Sequence, residues 1–179
     1  MIEKKKVFVI IGSASNHSTN EKLINYFADL TKNVFDLIIF KELKKLPHFD
    51  PQLSENNPPT EVIEFRRNIE ESDAVLICTP EYVFSIPSGL KNAFEWCVST
   101  TIFSEKITGI ITASADGRKG HEELQLILKT LMAKINEQTC LLIQGIKGKI
   151  NNEGVVIDQK TISDLLKFIE NFKHALKVK

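Results

Sequence analysis

"AVLICTPEYVFSIPSGLKNAFEW" (74–96) passes from an unbroken apolar run, through a proline-stiffened bend, into a helical pattern. Continuous rather than alternating hydrophobicity in 74–79 indicates a strand covered on both faces, as in a parallel sheet. From Leu90 the apolar positions are Leu90, Ala93, Phe94, Cys97 and Val98, the i, i+3, i+4, i+7, i+8 spacing of a helix stripe. A strand, a loop and a helix in that order form one β–α unit. The loop is longer than the roughly two to six residues that join such elements. Pro80 and Pro87 stiffen it, since each ring fixes φ and removes an N–H. It also carries Tyr82 and Phe84, aromatics that a loop tip does not expose without reason.

The unit repeats along the chain. "VFVII" (7–11), "VFDLIIF" (34–40), "ITGIITA" (107–113) and "CLLIQG" (140–145) read as further strands. "NEKLINYFADL" (20–30) and "TEVIEFRRNIEES" (60–72) read as helices between them. Leu124, Ile127, Leu128, Leu131 and Ile135 repeat the helical spacing, as do Ile162, Leu165, Leu166, Ile169 and Phe172. Strict alternation predicts a doubly wound, three-layer α/β domain over residues 1–179. The charge at Asp36 inside the second strand marks an edge, which fits a parallel sheet of order 2-1-3-4-5. "PQLSENNPPT" (51–60) is expected to be a surface loop. On the third-strand helix Trp96 falls opposite the stripe, and Leu126 falls off the stripe of the next. Large outward-facing apolar residues predict a partner surface.

Composition narrows the function classes. Lys plus Arg and Asp plus Glu both number 23, so the formal charge is zero and no nucleic-acid surface is indicated. The three cysteines form no CxxC and are expected to be small buried hydrophobes in a reducing compartment. The four histidines are scattered without ligand spacing, so no metal is expected. Lys4-Lys5-Lys6 before "VFVIIG" imitates a signal peptide, but the apolar stretch is short and makes better sense as the first strand. The expected location is cytoplasmic, with no run long enough to span a membrane.

In such a sheet ligands bind beyond the carboxyl ends of the strands where the winding reverses, here between strands 1 and 3. The loops leaving those strands are "GSASNHSTN" (12–20) and "TPEYVFSIP" (79–87), which are therefore expected to be neighbours. Ser13, Ser15, Ser18, Thr19 and Asn20 surround a helix start, where hydroxyls, free N–H groups and the helix dipole make an anion site. The alternative is that Ser18 or Thr19 merely caps the helix. Neither a Walker loop nor a GxGxxG loop is present.

These two loops resemble those of the NADPH-dependent FMN reductase and quinone reductase family. The family's first loop runs G-S-x-R-x-x-S-x-N; Gly12, Ser13, Ser18 and Asn20 match, and Ser15 replaces the arginine. Its second runs P-E-Y-N-x-S-I-P-G-x-L-K-N-A-x-[DE]-W. Pro80, Glu81, Tyr82, Ser85, Ile86 and Pro87 match it, as do Leu90 to Ala93, Glu95 and Trp96, while Val83 and Ser88 depart. "LPHFDP" (46–51) and "GRKGHEELQLILKTL" (117–131) also resemble family segments.

The resemblance implies a flavodoxin-like fold with FMN as cofactor. It places the FMN phosphate on the first loop, at Ser13, Ser15, Ser18, Thr19 and Asn20. It places the flavin ring against Pro80, Glu81, Tyr82, Val83, Phe84 and Ser85, mainly through backbone groups. The loop after strand 4, "SADGRKG" (114–120), completes the wall through Ser114 and Gly117, with Arg118 facing a nicotinamide phosphate or solvent. It implies transfer of a hydride from NAD(P)H through FMN to a quinone, free flavin or similar small acceptor by a ping-pong mechanism. No catalytic acid or base is implied, and Glu81 is expected to orient loops through hydrogen bonds. Pairing into a homodimer, or a dimer of dimers, is implied through the two helices named above. A flavodoxin-type electron carrier stays as an alternative, although zero net charge argues against it. A flavin-binding protein without reductase turnover is another, and a phospho-receiver module a third, although the latter wants acidic residues where Gly12-Ser13 stand.

Overall fold

The computed structural model describes residues 4–177. Five strands form one parallel sheet: β1 (Lys5–Ile11), β2 (Phe35–Phe40), β3 (Ala74–Thr79), β4 (Ile107–Ser114) and β5 (Cys140–Gln144). Their spatial order is β2-β1-β3-β4-β5, as the alternating pattern predicts. Asp36 is exposed on the edge strand β2. The helices are α1 (Thr19–Thr31), α2 (Pro51–Asn56), α3 (Thr60–Glu70), α4 (Ser88–Glu95), α5 (Arg118–Thr130) and α6 (Gln159–Ala175).

The period-2 geometry of strands divides each apolar run between two cores. Val7, Val9 and Ile11 face Leu23, Ile24 and Phe27 of α1 and Leu165, Phe168 and Phe172 of α6. Phe8 and Ile10 face the other way, toward Val62 and Phe65 of α3, Leu90 and Phe94 of α4, and Leu124 and Leu128 of α5. Every residue of β3 is buried, which is why its run shows no polar alternation.

Five expectations need correction. Residues 51–56 are helical, not a loop: Asp50 accepts from the N–H groups of Gln52 and Leu53, and Pro51 occupies the first turn, where a missing N–H costs nothing. Trp96 is fully buried rather than outward. The segment after β2 covers it: its Nε1–H donates to the Pro47 carbonyl at 2.8 Å, and its ring meets Phe49 edge-on at 5.4 Å. Val98 is exposed, because α4 ends at Glu95 and the chain turns before the stripe completes. On α6, Phe168 takes the core place expected of Leu166, which is exposed, and Ile135 lies beyond the end of α5.

Candidate functional site

The sheet's carboxyl edge brings the loops after β1 and β3 together through Gly12. Its N–H donates to the Cys78 carbonyl at 2.8 Å, one residue beyond the β1 strand. A Cβ at this position would lie 2.3 Å from Thr79 Oγ1 and 2.9 Å from Leu90 Cδ2. Only glycine permits that approach. Beyond it, the Ser13 and Tyr82 hydroxyls stand 3.3 Å apart, and the Ser15 N–H donates to Ser13 Oγ at 3.3 Å.

Ser18 is the N-cap of α1: its Oγ accepts from the Glu21 N–H at 3.1 Å. Glu21 in turn accepts from the His17 N–H at 2.9 Å and from Lys41 Nζ at 2.6 Å. The Lys41 hydrogen bond holds the Glu21 carboxyl below the usual range. Asn20 is buried and its side chain is an internal tie. Its Nδ2 donates to the Ala113 carbonyl at 3.2 Å, while its Oδ1 accepts from the Cys78 thiol at 3.3 Å. Thr19 and Asn20 still offer backbone N–H groups, which no carbonyl within a helix's first turn can take.

Glu81 fastens the third-strand loop to the fourth. Its Oε2 accepts from the Gly120 N–H at 2.8 Å and its Oε1 from the Gly117 N–H at 3.3 Å. Gly117 is the N-cap of α5 at φ 86° and has no side chain to cap with, so Glu81 supplies the negative group that this helix start favours. Ser114 Oγ donates to the Glu81 carbonyl at 3.4 Å. Farther along, Tyr82 and Ser85 exchange both backbone hydrogen bonds, at 2.9 and 3.0 Å, around Val83 at φ 51° and Phe84 at φ 58°. Two left-handed central residues define the tight hairpin turn that ordinarily takes Asn-Gly. Ser85 Oγ pins that turn to α5 by donating to Glu123 at 2.6 Å.

The result is a cleft of about 800 Å³ whose walls include Ser13, Ser15, Ser18, Thr19 and Asn20 on one side. Pro80, Glu81, Tyr82 and Ser114 form the other. Of the predicted residues, Val83, Phe84, Ser85 and Gly117 are not on its surface. The first two project from the turn, Val83 95% and Phe84 74% exposed, while Ser85 and Gly117 support the wall from behind. Asn16, His17 and Ala115, within the expected loops, also line it, while Ala113 and the turn Gly145 to Gly148 were not anticipated. The signal was present: "CLLIQG" ends β5, and the carboxyl end of that strand opens on the same edge. The donor set suits a phosphate-bearing flavin. Hydroxyls and helix N–H groups meet the exposed Lys147 on one flank, a rigid aromatic-bearing loop forms the other, and the one carboxylate, Glu81, is engaged on glycine N–H groups. A second cleft of about 590 Å³ shares Ser13, Ser15, Asn16 and Tyr82 with the first.

Behind the site, His121 Nδ1 is 2.8 Å from Thr112 Oγ1, and burial pushes its pKa down, Glu122 opposing weakly. Burial likewise raises the Cys97 thiol to about 12 and Cys78 further, so both stay protonated. No cluster of three His, Cys, Asp or Glu among the described residues could hold a metal.

A 2-1-3-4-5 sheet with a hydroxyl-lined cleft at its carboxyl edge defines the flavodoxin-like fold with its ligand site in the usual place. Residues 5–144 match the model of the NADPH-dependent FMN reductase family, and the chain belongs to that family. It is accordingly an oxidoreductase with FMN as its cofactor. The chain is 27% identical to the NADH-dependent flavin reductase subunit 2 of Lactobacillus johnsonii, covering 92% of this chain and 97% of that one. It is 26% identical to the quinone reductase of Escherichia coli K12, with 92% of each covered. The solved structure of FerB, a flavoenzyme NAD(P)H:(acceptor) oxidoreductase from Paracoccus denitrificans, superposes with a TM-score of 0.85 at 27% identity over 97% of each chain. An NADH:FMN oxidoreductase in its apo form shares the fold, with a TM-score of 0.74 at 17% identity over 98% of this chain and 92% of that one.

Proposed function

We propose that this chain reduces small acceptors such as quinones or free flavin with NAD(P)H, by a ping-pong mechanism in which both substrates use one face of the larger cleft. The observation that carries this reading is the meeting of the loops after β1 and β3 around Gly12, which puts the hydroxyl cradle beside the proline-stiffened loop. Bound FMN would supply the hydride-accepting and electron-donating chemistry between NAD(P)H and the acceptor. The protein supplies position and electrostatics.

Ser13, Ser15 and Ser18, with the N–H groups of Thr19 and Asn20, would hold the phosphate at the start of α1, where the helix dipole favours an anion. Pro80, Glu81 and Tyr82 would meet the ring through backbone groups whose positions are set before binding, which lowers the ordering cost. Glu81 is a positioning residue: both oxygens are engaged on glycine N–H groups, so it holds the loop after β4 and moves no proton. Tyr82 is the aromatic residue common to both clefts. The free Cys78, Cys97 and Cys140 suit a reducing compartment, and the cytoplasm is the location proposed; no helix among the described residues is long and apolar enough to cross a membrane.

A homodimer fits the groove between α4 and α5, where Val98 and Leu126 are 65% and 67% exposed beside Phe94 and Leu131. Steady-state oxidation of NADPH with menadione, varied against each other, tests the reading. Parallel double-reciprocal lines are expected. Intersecting lines would sink the shared-face mechanism, and no turnover with any of several acceptors would favour an electron carrier.

A further inference from the structure

The second cleft lies on the far side of the Ser13–Asn16 loop, and its chemistry differs from the first. Lys41, Lys44 and Lys91 line it, against a single carboxylate, Glu95. Lys91 is held on Glu95 at 2.8 Å and Lys41 on Glu21 at 2.6 Å, and the adjacent Lys45 pairs with Glu42. Lys44 is exposed and forms no ion pair among the described residues. Leu43, Leu46 and Pro87 supply an apolar floor, and the exposed His48 stands at the rim. At about 590 Å³ the cleft falls within the size range of small-ligand pockets, enough for one nucleotide rather than a whole dinucleotide.

An apolar floor under a cationic rim suits a purine carrying phosphate. The Tyr82 wall joins this cleft to the one assigned to the flavin, so a ligand reacting there can extend across it. We propose that the cleft bounded by Lys41, Lys44, Lys91 and Tyr82 receives the adenosine end of the reductant, and that Lys44 distinguishes NADPH from NADH through the 2′-phosphate. The assignment rests on the reductase reading above. Lys41 and Lys91 keep their carboxylates and shape the rim. Lys44 is the lysine with no carboxylate to leave, so a phosphate dianion gains its charge without breaking an existing pair.

Adenosine 2′,5′-bisphosphate and 5′-AMP are non-reacting probes that differ only in the 2′-phosphate. Their affinities are to be measured calorimetrically for the wild type and Lys44→Met, each with and without saturating FMN. The wild type should prefer the bisphosphate by about 2- to 5-fold at low salt, the range of one exposed cation–phosphate contact. Lys44→Met should bring that ratio close to one while leaving the FMN dissociation constant unchanged. Lys44→Arg should preserve the preference. Equal wild-type affinity for the two nucleotides, or a preference that survives Lys44→Met, overturns the assignment. The FMN titration separates this from failure of the reductase reading: a protein that binds no FMN yet shows the Lys44-dependent preference keeps the nucleotide site and loses the reductase function.

Discussion

Ser15 stands where the family pattern has arginine, so Ser15→Arg asks how the FMN phosphate is neutralised. Ser15 is exposed on the edge shared by the two clefts, and its hydroxyl packs into no core. Glu21, in the first turn of α1, is occupied by Lys41 at 2.6 Å and by the His17 N–H, so a new guanidinium is not captured there. Lys147, in the turn after β5, is the lysine lining the phosphate flank of the larger cleft. It gives one point charge where arginine would add a two-pronged donor. Charge-assisted hydrogen bonds contribute about 1.5–3 kcal/mol each, and exposure lowers that figure. A gain of about 1–2 kcal/mol is expected, or roughly 5- to 30-fold tighter FMN binding. Fluorescence titration at two salt concentrations reads it, with riboflavin as the phosphate-free control. The gain should shrink as salt rises and be absent for riboflavin. Lys147→Met should weaken FMN and spare riboflavin. Equal or weaker FMN binding by Ser15→Arg would mean that position 15 does not face the phosphate.

Three further outcomes are expected. Val83 sits at φ 51° with its side chain 95% exposed, so Val83→Asn loses no packing and relieves left-handed strain of about 1–2 kcal/mol; thermal melting should shift up by roughly 2–8 °C, and an unchanged Tm would show that the turn is unstrained. Leu126→Glu places a charge at an exposed position of the α4–α5 groove, so it should split a dimer while leaving the far-UV circular dichroism of the folded chain unchanged; an unaltered mass by light scattering would move the interface elsewhere. Burial lowers the folded-state pKa of His121 below its unfolded value of 6.5, so below that pH the unfolded state binds more protons and stability falls until the folded value is passed. His121→Gln should flatten the part of the acid limb just below pH 6.5, and an identical limb would assign it to other groups.

The chain order alone determined the layers. Continuous apolar runs alternate with helical stripes, and a charge at Asp36 marks the strand that lacks a neighbour on one side, so β2 falls at the edge. The two loops at the winding reversal were equally legible, because the positions of strand ends follow from the same pattern. Glu81 was legible as an orienting residue, but its partners at Gly117 and Gly120 were not, since they lie 36 and 39 residues away. The fate of Trp96 was decided only in three dimensions. A helical wheel places it opposite the stripe, yet Pro47 and Phe49 fold over it, and a wheel carries no information about a segment nearly fifty residues earlier. The same holds for Asn20, whose side chain serves the ends of β3 and β4, and for the turn at Lys147, which closes the cleft from the fifth strand. Periodicity reports which face of an element is buried. Which groups meet across a cleft depends on how separate elements pack, and that is settled by the tertiary structure.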